Sequence, residues 1–453
     1  MRKSKILATL GPSSSSRDVI FQLIREGVDG IRLNFSHGDL KEKKELIRVV
    51  RDIEQEIGSP IPIIGDLQGP TVRLGEFKPL QLKRGTRFRV GLNEGVPVKS
   101  EEFFKLIERG DFVLFEGGRI VCKVIEINGE SAILEALVEG ELRPKKTVAI
   151  HGKEYDLPPL TLKDEKDLEF CIKMNVEAIA LSFVKKGDDI VSLKERIEEL
   201  GGNSWVIAKI ETRSAVNRIN EIVREADGIL VARGDLGAYF NLEEIPSIQK
   251  LLIERAAEYG KPSIVATQLL DSMIENPMPT RAEVMDVYTA IRMGADALLL
   301  TGETAIGKYP IDAIRWLERI IRKAEESGAI ARRHEPIDLF DRFAKGVVLM
   351  ADSIDGKVVA YTKSGITARR ISSFRPKNGL LAAAPSLEVA RRISLLWGVY
   401  SAYLPYLADK EDPSRDIIDE FKRTGLLKVG DIVVMTRGIK AGATDAVRIL
   451  EVS

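Results

Sequence analysis

Short apolar runs alternate with amphipathic stretches over most of this chain. In the region from Gly228 to Glu303, three runs of four or five residues each end abruptly in polar residues. The runs are Gly228–Ala232, Ser263–Ala266 and Ala297–Leu300, and amphipathic stretches such as 248–259 and 281–293 separate them. A buried parallel strand has a continuous apolar run with its loop at the carboxyl end. This alternation predicts parallel strands connected by helices.

The same rhythm runs from the first residues, and we count eight such strands. They are predicted at 5–10, 30–33, 61–65, 178–181, 205–208, 228–232, 263–266 and 297–300. Eight parallel strands with intervening helices close into a (β/α)8 TIM-type barrel, whose chemistry lies at the carboxyl ends of the strands. The sequence therefore predicts an α/β protein built on such a barrel.

The helical pattern disappears between about Thr71 and Gly152. Short alternating segments separated by glycine-rich turns, at 86–92, 111–115, 121–127 and 131–137, predict a small all-β domain. Because it interrupts the barrel after the third strand, we expect a lid over the barrel mouth. The predicted division is 1–70 for the first part of the barrel domain, 71–152 for the inserted β-barrel lid and 153–333 for the second part.

Residues 334–453 form a second alternating region. Helices are predicted at 338–351, 367–374 and 387–396, and strands at 357–361, 379–383, 399–403, 431–435 and 446–452. This pattern predicts a separate C-terminal α/β sandwich domain. The polar segment Glu326–Pro336 is the expected linker.

Composition narrows the class of protein. The 453 residues contain 68 basic and 68 acidic side chains, so no overall charge favours nucleic acid or an anionic membrane as partner. No segment approaches the roughly 18 apolar residues of a membrane span. Cys122 and Cys171 lack metal or redox spacing, which is typical of reduced cysteines in a cytoplasmic protein.

The polar residues at the strand ends converge on one mouth if the barrel closes. They are Arg32, Asn34, Asp66, Ser182, Phe183, Lys209, Glu211, Arg233, Asp235, Thr267, Thr301 and Glu303. Carboxylates and hydroxyls suit a hard ion such as Mg²⁺, and arginine with lysine suits a phosphate-bearing anion. The set has no Ser-His-Asp pattern and no zinc spacing. Together these residues predict a phosphoryl-transfer site.

Each of these residues also has a simpler interpretation. Arg233 and Asp235 could form a loop salt bridge, and Lys209 and Glu211 could be solvated charges. Arg32 could pair structurally with Asp66. In the same way, Thr267 could cap the following helix and His37 could be an ordinary loop histidine. Their joint occurrence at successive strand ends favours the functional interpretation.

Several long segments resemble pyruvate kinases. They are ATLGPSS, IRLNFSHG, DLQGPTVRLG, LPPLTLKDEKDLEF, ALSFVKK, AKIET, VARGDLG and the run from IVATQLLDSM to LLLTGETAIGKYP. They occur in the family's order and cover the whole chain. The resemblance implies transfer of the phosphoryl group of phosphoenolpyruvate to ADP, giving pyruvate and ATP, with Mg²⁺ or Mn²⁺ as cofactor.

The resemblance also implies residue roles. Lys209 stabilises the transferring phosphoryl group and the enolate oxygen, Arg32 contacts the phosphate, and Glu211 and Asp235 hold the divalent ion. The backbone at Gly234 and Asp235, with Thr267, receives the substrate carboxylate. Thr267 also belongs to the proton relay, which Thr301 and Glu303 extend. The nucleotide-binding positions implied are Pro12, His37 and Arg73.

One loop departs from the usual family pattern. Asn34, Ser36, Asp66 and the Leu67 carbonyl match the monovalent-cation site, but Thr71 stands where many relatives have a carboxylate. Removal of a negative charge weakens the electrostatic need for K⁺. We therefore expect an enzyme that does not require K⁺, although relatives with the same loop often have lysine at the position of Thr71.

The C-terminal domain contains a strand, a glycine turn and a helix start rich in hydroxyls, which is a phosphate-binding geometry. In the family this loop receives the phosphate of a regulatory metabolite. The expected residues are Thr362, Lys363, Ser364, Gly365 and Thr367, and an ordinary helix cap is the simpler alternative. A homotetramer is expected by resemblance alone. Two other functions remain open: another barrel enzyme acting on phosphoenolpyruvate, such as a mutase or aldolase, and a metabolite sensor that binds without turnover.

Overall fold

The computed structural model describes residues 2–328, 334–408, 410, 412–437 and 446–453. Eight parallel strands close into a barrel in which chain neighbours are spatial neighbours and the first strand pairs with the last. Numbered in chain order, barrel strands 1 to 8 are Lys5–Thr9, Gly30–Asn34, Ile63–Asp66, Ala178–Leu181, Trp205–Ile210, Gly228–Ala232, Ser263–Ala266 and Ala297–Leu300. The predicted fold class is confirmed.

Alternation along each strand produces the two layers of the barrel core. One set of side chains fills the barrel interior, including Leu7, Ile64, Leu230 and Leu299. The other set faces outward and packs under the helices, including Ile6, Ile63, Val231 and Leu298. Because both faces are covered, the strands are apolar throughout. The polar residues therefore come at the strand ends.

Helices surround the barrel and connect its strands. They are Arg17–Arg25, Leu40–Ile57, Leu162–Lys173, Gly187–Glu199, Arg213–Asn217, Ile219–Glu225, Arg233–Leu236, Ile245–Glu258, Arg281–Met293, Gly302–Ala305 and Pro310–Glu326. Thr161 and Asp164 form the capping box expected from the sequence, each side chain accepting from the other's backbone N–H.

The segment between barrel strand 3 and the helix at Leu162 forms its own sheets. A six-stranded sheet contains Arg87–Gly91, Val96–Pro97, Phe112–Phe115, Ile120–Asn128, Ser131–Ala136 and Val148–Ile150. Leu80–Leu82 pairs with Gly140–Leu142 in a second, two-stranded sheet. A separate hydrophobic core spans residues from Val72 to Ile150. A short helix, Glu101–Leu106, was not expected; it is too short to give a helical periodicity, and it buries Phe103 completely.

The C-terminal region forms a five-stranded sheet. Its spatial order is Val399–Tyr403, Leu380–Ala384, Lys357–Tyr361, Ile432–Arg437 and Ala446–Glu451, and only the last strand is antiparallel. The helices are Leu339–Ser353, Ile366–Ser373, Leu387–Ile393 and Ser414–Arg423. The last of these helices was missed in the sequence. Part of the predicted linker, residues 329–333, lies outside the described residues.

Two strand boundaries differ from expectation in ways that affect the site. Barrel strand 3 begins at Ile63 rather than residue 61, because Pro62 has no N–H to donate to the ladder. Barrel strand 5 continues to Ile210, two residues further than predicted. Lys209 is therefore fixed within a strand rather than placed on a loop.

Candidate active site

Lys209 and Glu211 lie at the carboxyl end of barrel strand 5. Alternate residues of a strand share a face, so both side chains point into the mouth. Lys209 Nζ lies 2.8 Å from Glu211 Oε1, and their side chains are only 12% and 1% exposed. The interpretation as solvated charges is therefore wrong for this pair.

Lys209 is held by two further residues at neighbouring strand ends. Its ammonium donates to Ser182 Oγ at 2.7 Å and lies 3.1 Å from Asp66 Oδ1. Burial disfavours the charged ammonium, but Asp66, Glu211 and Asp235 together hold the pKa of Lys209 above its ordinary value. The group is a fixed positive charge at neutral pH.

Glu211 and Asp235 provide two adjacent carboxylates. Burial raises the pKa of Glu211 to about 7 despite the attraction of Lys209. Glu211 also accepts the Phe183 backbone N–H at 2.8 Å. Asp235 is open to the cleft, so the desolvation that raises its pKa comes from the cleft walls rather than from full enclosure. Two carboxylates whose negative charges repel each other are a suitable partner for a cation.

The donor set fits Mg²⁺ or Mn²⁺ as an ion that shares its ligands with substrate. No cluster of three or more candidate ligand side chains occurs among the residues that the structure describes. Mg²⁺ is commonly held by one or two carboxylates, with substrate oxygens and water completing the shell. Glu211 and Asp235 meet that requirement.

Thr267 is positioned by the segment Arg233–Gly234. The Gly234 N–H donates to Thr267 Oγ1 at 2.8 Å. Thr267 and Gln268 both have left-handed backbones, with φ of 67° and 52°. The Arg233 guanidinium donates to both of their carbonyls, at 2.7 and 2.8 Å, and pairs with Asp286 at 2.6 Å. Arg233 therefore faces away from the mouth, contrary to its predicted place there, and it pairs with Asp286 rather than forming the alternative loop salt bridge with Asp235.

Arg32 and Asp66 join the ends of barrel strands 2 and 3. Arg32 Nε donates to Asp66 Oδ2 at 2.6 Å, and its Nη1 donates to Thr9 Oγ1 at 3.0 Å. Burial would raise the pKa of Asp66, but Arg32 and Lys209 hold it below its ordinary value. The structural pairing considered for Arg32 is thus present, with the guanidinium still at the mouth.

The oxygens of the candidate monovalent-cation loop already have protein donors. Asn34 Oδ1 accepts the Ser36 N–H at 3.0 Å, and the Leu67 carbonyl accepts from Ser182 Oγ at 2.7 Å. The two Asp66 oxygens face Arg32 and Lys209. The structure therefore brings Asn34, Ser36, Asp66 and Leu67 to neighbouring strand ends, and protein donors engage the oxygens of Asn34, Asp66 and Leu67.

A group of cations surrounds His37. Partial desolvation and then Arg73, Lys43, Lys146 and Arg32 lower the pKa of His37, so its ring is neutral at pH 7. Arg73 donates to Thr71 Oγ1 at 3.1 Å and to the Lys145 carbonyl at 3.2 Å. Pro12 begins the short turn Pro12–Ser14 after barrel strand 1. The sequence did not single out Lys43 or Lys146, because one lies on a helix and the other on the distant lid.

Thr301 and Glu303 follow barrel strand 8. The Glu303 side chain is fully buried, and its oxygens accept the Leu270 N–H at 3.0 Å and the Thr301 N–H at 2.9 Å. Burial raises the pKa of Glu303. Glu303 thus links the loops after strands 7 and 8.

The C-terminal loop has the expected turn. Gly365 has a φ of 88°, and a Cβ there would lie 2.9 Å from Ile393 Cγ2. The Gly365 N–H donates to Thr362 Oγ1 at 3.0 Å, while Thr362 is buried and both Lys363 and Ser364 are exposed. Thr367 lies in the first turn of the helix Ile366–Ser373. Thr362 therefore shapes the loop, whereas Lys363 and Ser364 face solvent.

A cleft lies between the barrel mouth and the inserted domain, and it is lined by Thr71, Tyr155, Phe183, Asp235 and Tyr239 among others. Fixed cations, a pair of carboxylates that fits a divalent ion and a strained hydroxyl meet at the mouth of a barrel that carries an inserted domain. These features define a metal-assisted phosphotransferase of the (β/α)8 class.

The comparisons with known proteins agree with this class. The family described as "Pyruvate kinase, barrel domain" matches residues 1–314, and "Pyruvate kinase, alpha/beta domain" matches residues 341–450. The pyruvate kinase of Aeropyrum pernix is 40% identical over 87% of each chain, and that of Thermotoga maritima is 36% identical over 100% of each. The crystal structure of pyruvate kinase from Pyrobaculum aerophilum has a TM-score of 0.90 at 34% identity, covering 99% of both chains. The chain belongs to the pyruvate kinase family.

Phe183 and Arg233 were among the predicted strand-end residues, but their positioning roles were missed in the sequence. The Phe183 N–H that orients Glu211 depends on a left-handed backbone, with φ of 56°, at a residue that rarely adopts it. Arg233 was assigned to the mouth because it follows a strand, but it serves the loop of Thr267. The residue types give no signal for either arrangement.

In the part of the chain that the structure describes, no helix is long and apolar enough to cross a membrane.

Proposed function

We propose that the strand-end residues carry out the family reaction, in which phosphoenolpyruvate phosphorylates ADP, in the roles expected from the sequence. The observation that carries the proposal is Lys209, whose ammonium touches Asp66, Ser182 and Glu211 at the centre of the mouth. A fixed ammonium here stabilises the charge that develops on the phosphoryl group and on the leaving enolate oxygen. Arg32, on barrel strand 2, binds the phosphate from the same mouth.

The remaining residues bind, orient and protonate. Glu211 and Asp235 hold the divalent ion, which when bound supplies positive charge against the substrate oxygens. The Gly234 and Asp235 backbone and the Thr267 hydroxyl receive the substrate carboxylate. Thr267, in a relay with Thr301, delivers a proton to the enolate carbon. Glu303 extends this relay together with Thr301, whose backbone N–H it accepts.

The test is pyruvate formation from phosphoenolpyruvate and ADP with Mg²⁺, comparing the wild type with Lys209→Met. Turnover in the wild type and a loss of several orders of magnitude in the variant are expected, because electrostatic groups of this kind supply a large share of the barrier reduction. Metal-dependent phosphoenolpyruvate binding without turnover in the wild type would instead support the sensor function.

We also propose that the enzyme does not require K⁺. Support comes from Thr71, which lacks a carboxylate, and from the loop oxygens already engaged by Ser36, Ser182, Arg32 and Lys209. The wild type should turn over equally in K⁺ and in tetramethylammonium buffers, whereas Thr71→Glu should gain stimulation by K⁺. Collapse of wild-type activity without K⁺ would refute the proposal.

A phosphorylated effector is proposed for the loop at Thr362–Gly365 and Thr367. The exposed Lys363 and Ser364 beside a left-handed Gly365 support it. Kinetics across a panel of sugar phosphates and nucleotides should show an effect that Lys363→Ala weakens and Lys377→Ala, a surface control in the same domain, leaves intact. An unchanged response in Lys363→Ala would favour the simple helix cap.

A homotetramer is proposed for the assembled enzyme, located in the cytoplasm. Apolar side chains such as Leu242, Met278 and Met285 are 80%, 62% and 61% exposed on the barrel domain, and a contact between copies of the chain would bury such side chains. Sedimentation of the full chain at micromolar concentration should give the mass of four copies, and a monomer would refute the proposal.

A further inference from the structure

An acidic residue precedes each even-numbered barrel strand at the floor of the barrel, opposite the mouth. These floor acids are Asp29, Glu177, Asp227 and Asp296. Each accepts a backbone N–H near the start of the preceding odd-numbered strand: Ile6 at 2.7 Å, Ile63 at 2.8 Å, Val206 at 3.0 Å and Ser263 at 2.8 Å, respectively. The floor acids thus tie the strands together in the pairs 1 and 2, 3 and 4, 5 and 6, and 7 and 8.

The C-terminal domain contacts three of these acids through arginines. Arg391 lies 3.3 Å from Glu177, Arg369 lies 3.4 Å from Asp227, and Arg375 lies 3.0 Å from Asp296. Each contact involves the carboxylate that holds a strand start. A displacement of one of these arginines in the C-terminal domain would therefore alter a contact at the base of a strand pair.

Arg369 and Arg375 come from one short segment. Arg369 lies on the helix Ile366–Ser373, and Arg375 follows two residues after its end. Arg375 is nearly buried: it lies over the Trp397 ring, with 4.8 Å to the centroid, and also donates to the Gly294 carbonyl at 2.6 Å. Because desolvation opposes a buried ion pair, such a pair is weak evidence of stabilisation and better explained by a need for fixed geometry.

The strands above these two contacts carry the proposed catalytic groups. Val206, held by Asp227, is three residues, or about 10 Å, before Lys209 on the same strand. The partner strand leads to Asp235. Ser263, held by Asp296, begins the strand that leads to Thr267. Arg369 thus acts on the strands that lead to Lys209 and Asp235. Arg375 acts on the strand that leads to Thr267.

We propose that Arg369 and Arg375 are positioning residues through which the C-terminal domain sets the register of barrel strands 5 and 6 relative to strands 7 and 8. The C-terminal domain is then part of the catalytic scaffold even without any effector. The inference rests on the residue roles proposed above. Because the contacts lie on the opposite side of the barrel from substrate, these arginines act only through the strands.

The test uses the full chain with Arg369→Gln, Arg375→Gln and the control Arg370→Gln. Arg370 lies on the same helix, but its partners are Asp338 and Asp341 within the C-terminal domain. A small misplacement of catalytic groups can cost up to about a hundredfold in rate. We expect kcat per folded enzyme to fall roughly tenfold or more in the first two variants and to stay at the wild-type value in the control.

The two variants should also differ from each other. Arg369→Gln should raise the concentration of Mg²⁺ needed for half-maximal activity, because strands 5 and 6 lead to Glu211 and Asp235. Arg375→Gln should lower kcat and leave this Mg²⁺ concentration unchanged. If glutamine prevents folding, Arg369→Lys and Arg375→Lys keep the charge but lose the planar fork, and smaller losses in the same direction are expected.

Hydrogen exchange separates this inference from the proposed function. Amides of 205–211 should exchange faster in Arg369→Gln than in Arg370→Gln, whether or not the enzyme turns over. If exchange there is the same in both variants, or if all three variants lose thermal stability with unchanged kcat, the contacts are merely structural and the inference is overturned. An inactive wild type with altered exchange would refute the proposed reaction but not the coupling.

Discussion

Thr267 combines a reactive position with an unfavourable backbone. Its φ of 67° is rare for a β-branched residue, and strain of this kind costs on the order of 1–3 kcal/mol. Arg233 and the Gly234 N–H hold it there through its carbonyl and its hydroxyl. The strain supports the proposal that Thr267 is kept for its chemistry rather than for packing.

Substitution of Thr267 should separate hydroxyl chemistry from strain. Thr267→Ser keeps the hydroxyl and should retain activity within about tenfold, while Thr267→Ala should lose about a hundredfold or more, the contribution typical of positioned proton transfer. Both variants remove the β-branch, but Thr267→Ala also leaves the Gly234 N–H without its acceptor, so it should be less stable than Thr267→Ser by about 1–3 kcal/mol. Steady-state kinetics with thermal melts provide the measurement, and equal activities in Ser and Ala variants would contradict the proposed role.

The sequence identified individual residues of the mouth by their position directly after a predicted strand. Lys209, Glu211, Asp235 and Thr267 all follow apolar runs, and the structure brings them to one mouth. The same rule failed for Arg233, because the direction of a side chain beyond a strand depends on the loop's backbone. Asp286, the partner that turns Arg233 away, lies 53 residues later in the chain.

The inserted domain contributes positively charged side chains to the cleft. Arg73 lies near the start of the inserted domain in the sequence and Lys146 near its end. Both lie close to His37 in the fold. Lys146 pairs with Glu116 at 2.5 Å, whereas the Arg73 guanidinium donates to the neutral oxygens of Thr71 and Lys145. Arg73 is thus better placed to bind the phosphates of the nucleotide.

Removal of Arg73 should therefore weaken nucleotide binding selectively. In Arg73→Ala the KM for ADP should rise roughly 10- to 100-fold, the range expected from a charge-assisted hydrogen bond of about 1.5–3 kcal/mol. The KM for phosphoenolpyruvate should change little. Arg143→Ala serves as the control, because that arginine pairs with Glu141 on the exposed surface of the same domain. Equal effects on both substrates would contradict the assignment.

Elements with a clear period were predictable and short ones were not. The eight barrel strands were placed to within two residues at each end, because parallel strands buried on both faces are continuous apolar runs. The helix Glu101–Leu106 was missed because six residues do not establish a helical period. Its existence depends on the packing of Phe103 into the core of the inserted domain.

The junction of the barrel and the C-terminal domain contains an unusual lysine. Lys261 lies just before barrel strand 7 and donates to the Ala226 carbonyl at 2.6 Å. Burial and then the nearby Arg369 lower the pKa of Lys261 to about 8. The folded protein therefore releases this proton at a lower pH than the unfolded chain.

The stability of the molecule should reflect this difference. Between pH 8 and the ordinary lysine pKa of about 10.5, the unfolded chain holds more protons, so stability rises with pH as far as Lys261 is concerned. Below pH 8 Lys261 is charged in the folded protein. Burial of this charge lowers the free energy of unfolding by at most about 3 kcal/mol. Lys261→Met lacks this term, so the thermal midpoint of the wild type should rise relative to that of the variant between pH 8 and 10. Parallel pH profiles would contradict the prediction.

Local sequence patterns were sufficient to predict the barrel, the position of the insertion, the C-terminal α/β region and most residues of the mouth. They were sufficient because these features depend on local periodicity and on strand ends, which are adjacent to the strands in the chain. Tertiary structure alone decided which charges neutralise each other: Lys209 with Asp66, Arg233 with Asp286, and Arg375 with Asp296. Such pairs join residues far apart in the chain. Only the closed barrel and the docked C-terminal domain bring them within hydrogen-bonding distance.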